Sequence, residues 1–165
     1  MSAAQVRELA PGDLEAALEL NQHWVPHVGS IDAAGLGALV EQASLSLVAE
    51  TTNGELGGFA VVLREGADYG SPNYRWFAGR HGAFTYLDRI AIAPESQGSG
   101  LGRMLYGVVA DWGRSVGSPV LCAEVNLVPP NPESLAFHRR LGFADAGTQW
   151  TYDNTVQVQM LEMEL

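Results

Sequence analysis

Residues 90–103, Ile90-Ala91-Ile92-Ala93-Pro94-Glu95-Ser96-Gln97-Gly98-Ser99-Gly100-Leu101-Gly102-Arg103, run from an apolar β-like stretch into a helical pattern through three glycines in five positions. Glycine at 98, 100 and 102 lets main chain turn tightly and approach a ligand. The amides that open the following helix have no acceptor inside it and stand at the positive end of its dipole. Strand, glycine turn and helix together make an anion cradle built from main chain, and they commit the chain to a fold that mixes sheet and helix.

Elimination narrows the anion. A dinucleotide fingerprint needs G-x-G-x-x-G, whereas Gly98-Ser99-Gly100-Leu101-Gly102 continues with Arg103, Met104 and Leu105. A phosphate loop needs Gly-Lys-Ser/Thr, and all nine basic residues are arginine. The missing lysine also excludes an internal Schiff base. With 19 acidic residues against nine basic, the net charge is −10, so no basic face is expected for nucleic acid or an anionic membrane. The chain has 165 residues, 47% of them hydrophobic and 17% charged, which predicts one packed domain over residues 1–165. Cys122, alone in its type, reads as a buried strand thiol. No run reaches the roughly 18 apolar residues of a membrane span, and no leader pattern opens the chain, so a cytoplasmic protein is the expectation.

Periodicity supplies the frame. Gln5–Leu9 predicts a strand; Leu14, Ala17, Leu18 and Leu20 a helix that Asp13 would cap; Leu36, Leu39 and Val40 a second helix capped by Asp32. Ser44–Glu50 and Leu56–Arg64 form a hairpin through Asn53-Gly54. Glu65–Ala83 shows no clear period and reads as a long aromatic loop. Phe84–Ile92 is a strand, Gly100–Val116 a helix with Leu101, Leu105, Val108, Val109 and Trp112 on one face, and Val120–Asn126 a strand. Asn131–Leu141 is a helix and Thr155–Leu165 one or two strands.

Gln97-Gly98-Ser99-Gly100-Leu101-Gly102 matches Q/R-x-x-G-x-G/A, the pyrophosphate turn of the GNAT superfamily of N-acetyltransferases. Leu87-Asp88-Arg89-Ile90-Ala91-Ile92 resembles the strand that precedes it there. Glu124-Val125, a link, and Asn131-Pro132-Glu133-Ser134-Leu135-Ala136-Phe137-His138-Arg139-Arg140-Leu141-Gly142-Phe143 resemble the family's later stretch, with His138 where a tyrosine is usual. The resemblance implies an α/β (α+β mixed) GNAT fold, with a central mixed, mostly antiparallel sheet, helices on both faces and splayed central strands.

It also implies acetyl-CoA (coenzyme A) as co-substrate and no metal. Acetyl-CoA would lie between the strands Phe84–Ile92 and Val120–Asn126, its pantetheine pairing with main chain of Ile90, Ala91 and Ile92. The pyrophosphate would rest on Gln97, Gly98, Ser99, Gly100, Leu101, Gly102 and Arg103, with Asn131 a further cofactor contact. An amine attacks the thioester directly, so a carboxylate must take its proton: Glu124 first, with Asp88 and Tyr86 as alternatives. His138 would protonate the departing thiolate, pack, or hydrogen-bond the cofactor. Asn131 followed by Pro132 is equally a helix cap.

The acceptor, a small-molecule amine or a peptide amine, would meet Asn21, Trp24, Tyr74, Trp76 and Tyr86, whose aromatic density suggests a walled pocket. A non-catalytic acetyl-CoA sensor or scaffold of the same fold is the other reading, and a homodimer is open through the C-terminal strands. Gly113-Arg114-Ser115-Val116-Gly117 satisfies G-x-S-x-G, but Ser115 ends a helix rather than following a strand, which excludes a nucleophile elbow.

Overall fold

The computed structural model describes residues 2–165, and two compact units divide the chain. The first consists of Met1–Leu63 with Leu87–Trp112, the second of Arg64–Tyr86 with Gly113–Leu165.

In the first unit, β1 (Gln5–Glu8) pairs antiparallel with β2 (Leu45–Glu50), and β2 with β3 (Leu56–Arg64), Val6 facing Ala49 and Leu47 facing Ala60. The β2–β3 turn closes as the Asn-Gly pair requires: Gly54 takes φ +80° and its N–H bonds Thr51 C=O. Helices α1 (Leu14–His23) and α2 (Ala33–Gln42) bury Ala17, Leu20, Leu36 and Leu39. Asp32 caps α2, its Oδ1 accepting the Gly35 N–H at 2.7 Å. Asp13 does not cap α1. Its carboxylate instead accepts the Ala10 N–H, closing a 3-10 turn at Pro11–Asp13, and takes two N–H groups of Arg7. Arg7 also reaches Glu50 at 2.7 Å; its bonds hold the Asp13 carboxyl below its usual range, and the Gln5 amide, donating at 2.7 Å, together with Arg7 does the same for Glu50.

The second unit contains a helix, α3 (Pro72–Ala78), inside the stretch expected to be loop. Ser71 Oγ accepts the Tyr74 N–H and Pro72 fills the first helical position, a start signal too local for the aromatic run to reveal as a period. Strand β4 (Thr85–Ile92) enters here and continues into the first unit, and helix α4 (Leu101–Ser115) ends here. Then follow β5 (Val120–Val128), α5 (Pro132–Leu141), β6 (Ala144–Thr151) and β7 (Val156–Glu164). β6 lies ahead of the alternating tail expected from sequence. β5 pairs antiparallel with β7, Cys122 opposite Glu162 and Glu124 opposite Met160, and β6 pairs antiparallel with β7. The parallel ladder of β4 with β5 comprises Thr85 with Leu121 and Tyr86 with Cys122. Phe77, Phe84, Tyr86, Leu121, Cys122, Met160 and Leu161 fill this unit's core.

The strand order is β1-β2-β3-β4-β5-β7-β6, a mixed, mostly antiparallel seven-stranded sheet with flanking helices. On α4 the buried residues are Leu101, Leu105, Tyr106, Val109, Ala110 and Gly113; Val108, expected on the same face, is 38% exposed. No described helix is long and apolar enough to cross a membrane.

Candidate functional site

The glycine turn has the local structure its sequence requires. Gly98 (φ +74°) and Gly100 (φ +89°) lie in the left-handed region, and a Cβ on either would meet nothing within 4 Å. The turn is therefore open on that side. Met104 N–H to Gly100 C=O is the helical bond reaching back into the turn, so the amides of Leu101, Gly102 and Arg103 precede the ladder of α4. Gln97, Gly98, Ser99, Gly100 and Arg103 are exposed, while Leu101 is buried as the turn's anchor. Close approach on the inner side comes from β3. A Cβ on Gly57 would sit 2.5 Å from Leu101 Cδ1, and one on Gly58 2.7 Å from Ile92 Cδ1. These main-chain donors, at a helix start and with no lysine, fit a pyrophosphate.

Along the end of β4, the Ala93 N–H bonds Gly57 C=O at 2.8 Å, which sets the phase of the antiparallel pairing. By alternation the main chain of Ala91 faces β3, while that of Ile90 and Ile92 turns away. Ala91 is thus removed from the three residues expected to pair with pantetheine. The Ile92 carbonyl carries two side-chain donors, Trp24 Nε1 at 2.8 Å and Gln97 Nε2 at 3.2 Å, which occupy both of its lone pairs. The main-chain groups left for an added strand are those of Ile90 and the Ile92 N–H.

The acceptor residues expected from sequence separate into different roles. Asn21, expected at the acceptor side, is fully buried; its Nδ2 donates to Gly29 C=O at 3.1 Å and its Oδ1 accepts from Arg89 Nη1 at 3.0 Å, so it clamps these two segments together. Trp24 holds Ile92. Tyr74 is also structural: its buried hydroxyl donates to Arg64 C=O at 2.6 Å and accepts the Ala67 N–H at 3.0 Å, pinning the chain before α3. Trp76 lies over Gly147, where a Cβ would come within 2.8 Å of the indole, and beneath Arg80, 5.7 Å from the ring centroid.

Tyr86 and Glu124 meet. The Tyr86 hydroxyl donates to Glu124 Oε1 at 2.8 Å, and Asn73 Nδ2 donates to the same oxygen at 3.2 Å. Asn73 Oδ1 in turn accepts from Gln149 Nε2 at 3.0 Å. Asn73 and Gln149 escaped the sequence reading, because α3 and β6 were not recognised and neither amide carries a motif; the Ser71-Pro72 start signal would have placed Asn73. Asp88, the alternative base, is bound by Arg89 Nε at 2.8 Å.

His138 is 4% exposed, and its Nδ1 lies 2.7 Å from Ser134 C=O. A carbonyl only accepts, so Nδ1 carries the proton and in the neutral ring Nε2 is an acceptor. Burial holds the imidazole below its usual pKa, against the pull of that carbonyl. Asn131 caps α5, its Oδ1 accepting the Ser134 N–H at 3.4 Å, and Gly142 ends the helix at φ +112°. Burial, with Glu162 and Glu124 adding like charge, pushes the Cys122 thiol far above its ordinary range, which leaves it a poor nucleophile.

Among the described residues one mixed group has metal-ligand chemistry: His81, Cys122 and Glu162, whose ligand atoms lie within 4.8 Å of one another. Glu162 Oε1 already accepts from Arg80 Nε at 2.8 Å and touches His81 Nε2 at 2.6 Å, so this carboxylate oxygen is engaged by protein partners. Ser115 closes α4, and Gly113 is required because a Cβ there would lie 2.6 Å from Leu165 Cδ1; packing accounts for the glycine of the hydrolase-like pattern.

The chain is 35% identical over 112 residues to the streptothricin acetyltransferase of Streptomyces lavendulae, covering 67% of this chain and 51% of that relative, so it spans about half the relative's length. Its fold is similar to that of Ard1 from Thermoplasma volcanium, with TM-score 0.79, 17% identity, and 99% and 98% of the two chains covered. It is also similar to yncA from Salmonella typhimurium, solved with its cofactor acetyl-CoA, with TM-score 0.72, 21% identity, and 99% and 95% covered. The model of the acetyltransferase (GNAT) family matches residues 7–143, through the glycine turn, Glu124 and the helix after Asn131, and the chain belongs to that family.

Proposed function

We propose that residues 1–165 form one catalytic domain that transfers an acetyl group from acetyl-CoA to a primary amine by direct attack in a ternary complex. The observation that carries this reading is the lysine-free glycine turn at Gln97–Arg103, exposed at Gln97, Gly98, Ser99, Gly100 and Arg103, with two left-handed glycines and the first amides of α4 ahead of its hydrogen-bond ladder. Acetyl-CoA would supply an activated acetyl thioester with a thiolate leaving group.

Gln97–Arg103 hold the pyrophosphate, and the main chain of Ile90 and Ile92 receives the thioester arm and polarises its carbonyl. Glu124 takes the proton that the attacking amine must lose, because an alkyl ammonium has a pKa of about 10 and is not a nucleophile while protonated. Asp88, bound by Arg89, is the weaker choice. His138 donates its only neutral-ring proton to Ser134, so the thiolate departs without acid help from it. Trp76 remains the acceptor-side residue, Tyr86 being fully buried with its hydroxyl on Glu124, and the acidic balance of −10 favours a cationic amine. The relative's name makes a streptothricin-like amine one acceptor to test. We further propose a cytoplasmic protein with no nucleic-acid or membrane partner, able to form a homodimer.

The experiment is a screen of streptothricin, aminoglycosides, polyamines, amino acids and peptide N-termini by CoA release, run beside a thermal-shift titration with acetyl-CoA. CoA release with one amine class is expected. No thermal shift with acetyl-CoA removes the reading. A shift without turnover favours the sensor or scaffold, a reading supported by the buried, neutral His138 at the position where the family usually has tyrosine.

A further inference from the structure

The Glu124 carboxylate is held by a directed chain of amides. Gln149 on β6 donates to Asn73 Oδ1, which fixes the Asn73 amide so that its Nδ2–H faces Glu124 Oε1. Asn73 is 9% exposed, so water competes little for this bond. Tyr86 from β4 donates to the same oxygen. Two donors fill both lone pairs of Oε1, so a proton arriving at this carboxylate must be taken on Oε2.

We infer that Asn73 and Gln149 are positioning residues for the carboxylate base: together they fix which oxygen of Glu124 accepts the proton. The inference rests on the reading of Glu124 as base. Each donor at Oε1 stabilises the charged form over the neutral one, and losing one raises the pH at which the carboxylate gains its proton. Tyr86 faces Glu124 from β4, and Cys122 shares its strand face, the two being close enough for Glu124 to raise the thiol's pKa. α3 contributes the neutral Asn73 and β7 the apolar Met160 opposite.

Carbon-13 NMR titration of side-chain carboxyls in the whole protein tests this without a known acceptor, the Glu124 signal being assigned by its loss in Glu124→Gln. Asn73→Ala should raise the Glu124 midpoint by about one pH unit, the effect of losing one hydrogen bond to the charged form. Gln149→Ala should raise it less, and should add nothing in the Asn73→Ala background, because Gln149 acts only through Asn73. An unchanged midpoint in Asn73→Ala, or an equal Gln149→Ala increment in both backgrounds, overturns the inference.

Gln149→Glu is the second variant if Asn73→Ala does not fold. A carboxylate at 149 needs a donor, which turns the Asn73 amide over and presents Oδ1 to Glu124, so the midpoint must rise; no rise overturns the inference. The base reading fails separately, by full turnover of Glu124→Gln with the best amine of the screen, an outcome that leaves the NMR result standing.

Discussion

The Trp24 indole N–H donates to the Ile92 carbonyl at 2.8 Å, tying the end of α1 to the last residue of β4 across 68 positions of sequence. Trp24→Phe keeps most of the ring and deletes the donor. A buried-type hydrogen bond contributes about 1 kcal/mol, which for a chain of this size lowers the melting temperature by about 2–4 °C. Gln97 also donates to that carbonyl, so the acetyl-CoA shift should persist. An unchanged melting temperature would show that the bond contributes nothing.

At Gly100 strain and charge can be separated. Any side chain there is strained at φ +89°, but it meets no neighbour within 4 Å. Gly100→Ala should lower the melting temperature and keep the stabilisation by acetyl-CoA. Gly100→Glu adds a carboxylate to the cradle and should abolish that stabilisation. Equal ligand shifts in both variants would place the phosphates elsewhere.

For Glu124→Gln, shape is retained and proton acceptance is lost. With the best acceptor, kcat should fall by about 10²–10⁴, the usual scale of general-base catalysis, while the acetyl-CoA thermal shift stays as in the parent. Unchanged turnover, or equal loss of turnover and binding, would remove the base assignment.

What could be read from sequence follows from how local each signal is. The cradle is specified by backbone chemistry within seven residues: glycines that alone tolerate the φ values and a helix start with unpaired amides. The cap by Asp32 and the Asn53-Gly54 hairpin are equally local. Asp13 misled because Arg7 and Ala10, one strand end and one turn away, compete for its carboxylate. The Tyr86, Asn73 and Gln149 contacts with the Glu124 network come from four separate elements, and no spacing along the chain encodes them. Tyr74 and Asn21 look like pocket residues in composition, but their polar atoms are spent on main chain and Arg89.

His138 gives a pH prediction with a definite sign. Its pKa in the folded chain lies below 6.5 because burial disfavours the imidazolium, while in the unfolded chain it returns to about 6.5. In that interval the unfolded chain binds a proton that the folded chain does not. Stability from this group is therefore complete above about pH 7 and is lost as pH falls through 6.5 toward the folded pKa. The lowered Asp13 and Glu50 carboxyls act in a different window, their contribution being lost only below about pH 4. Urea unfolding at about pH 7.5 and about pH 5.5 should show the parent losing more stability between the two than His138→Gln does. If His138 has no acid role, kcat of His138→Gln at the higher pH should stay within a few-fold of the parent. Equal pH losses in the two proteins would mean that His138 is protonated in the fold, and a collapse of kcat would return the acid role to it.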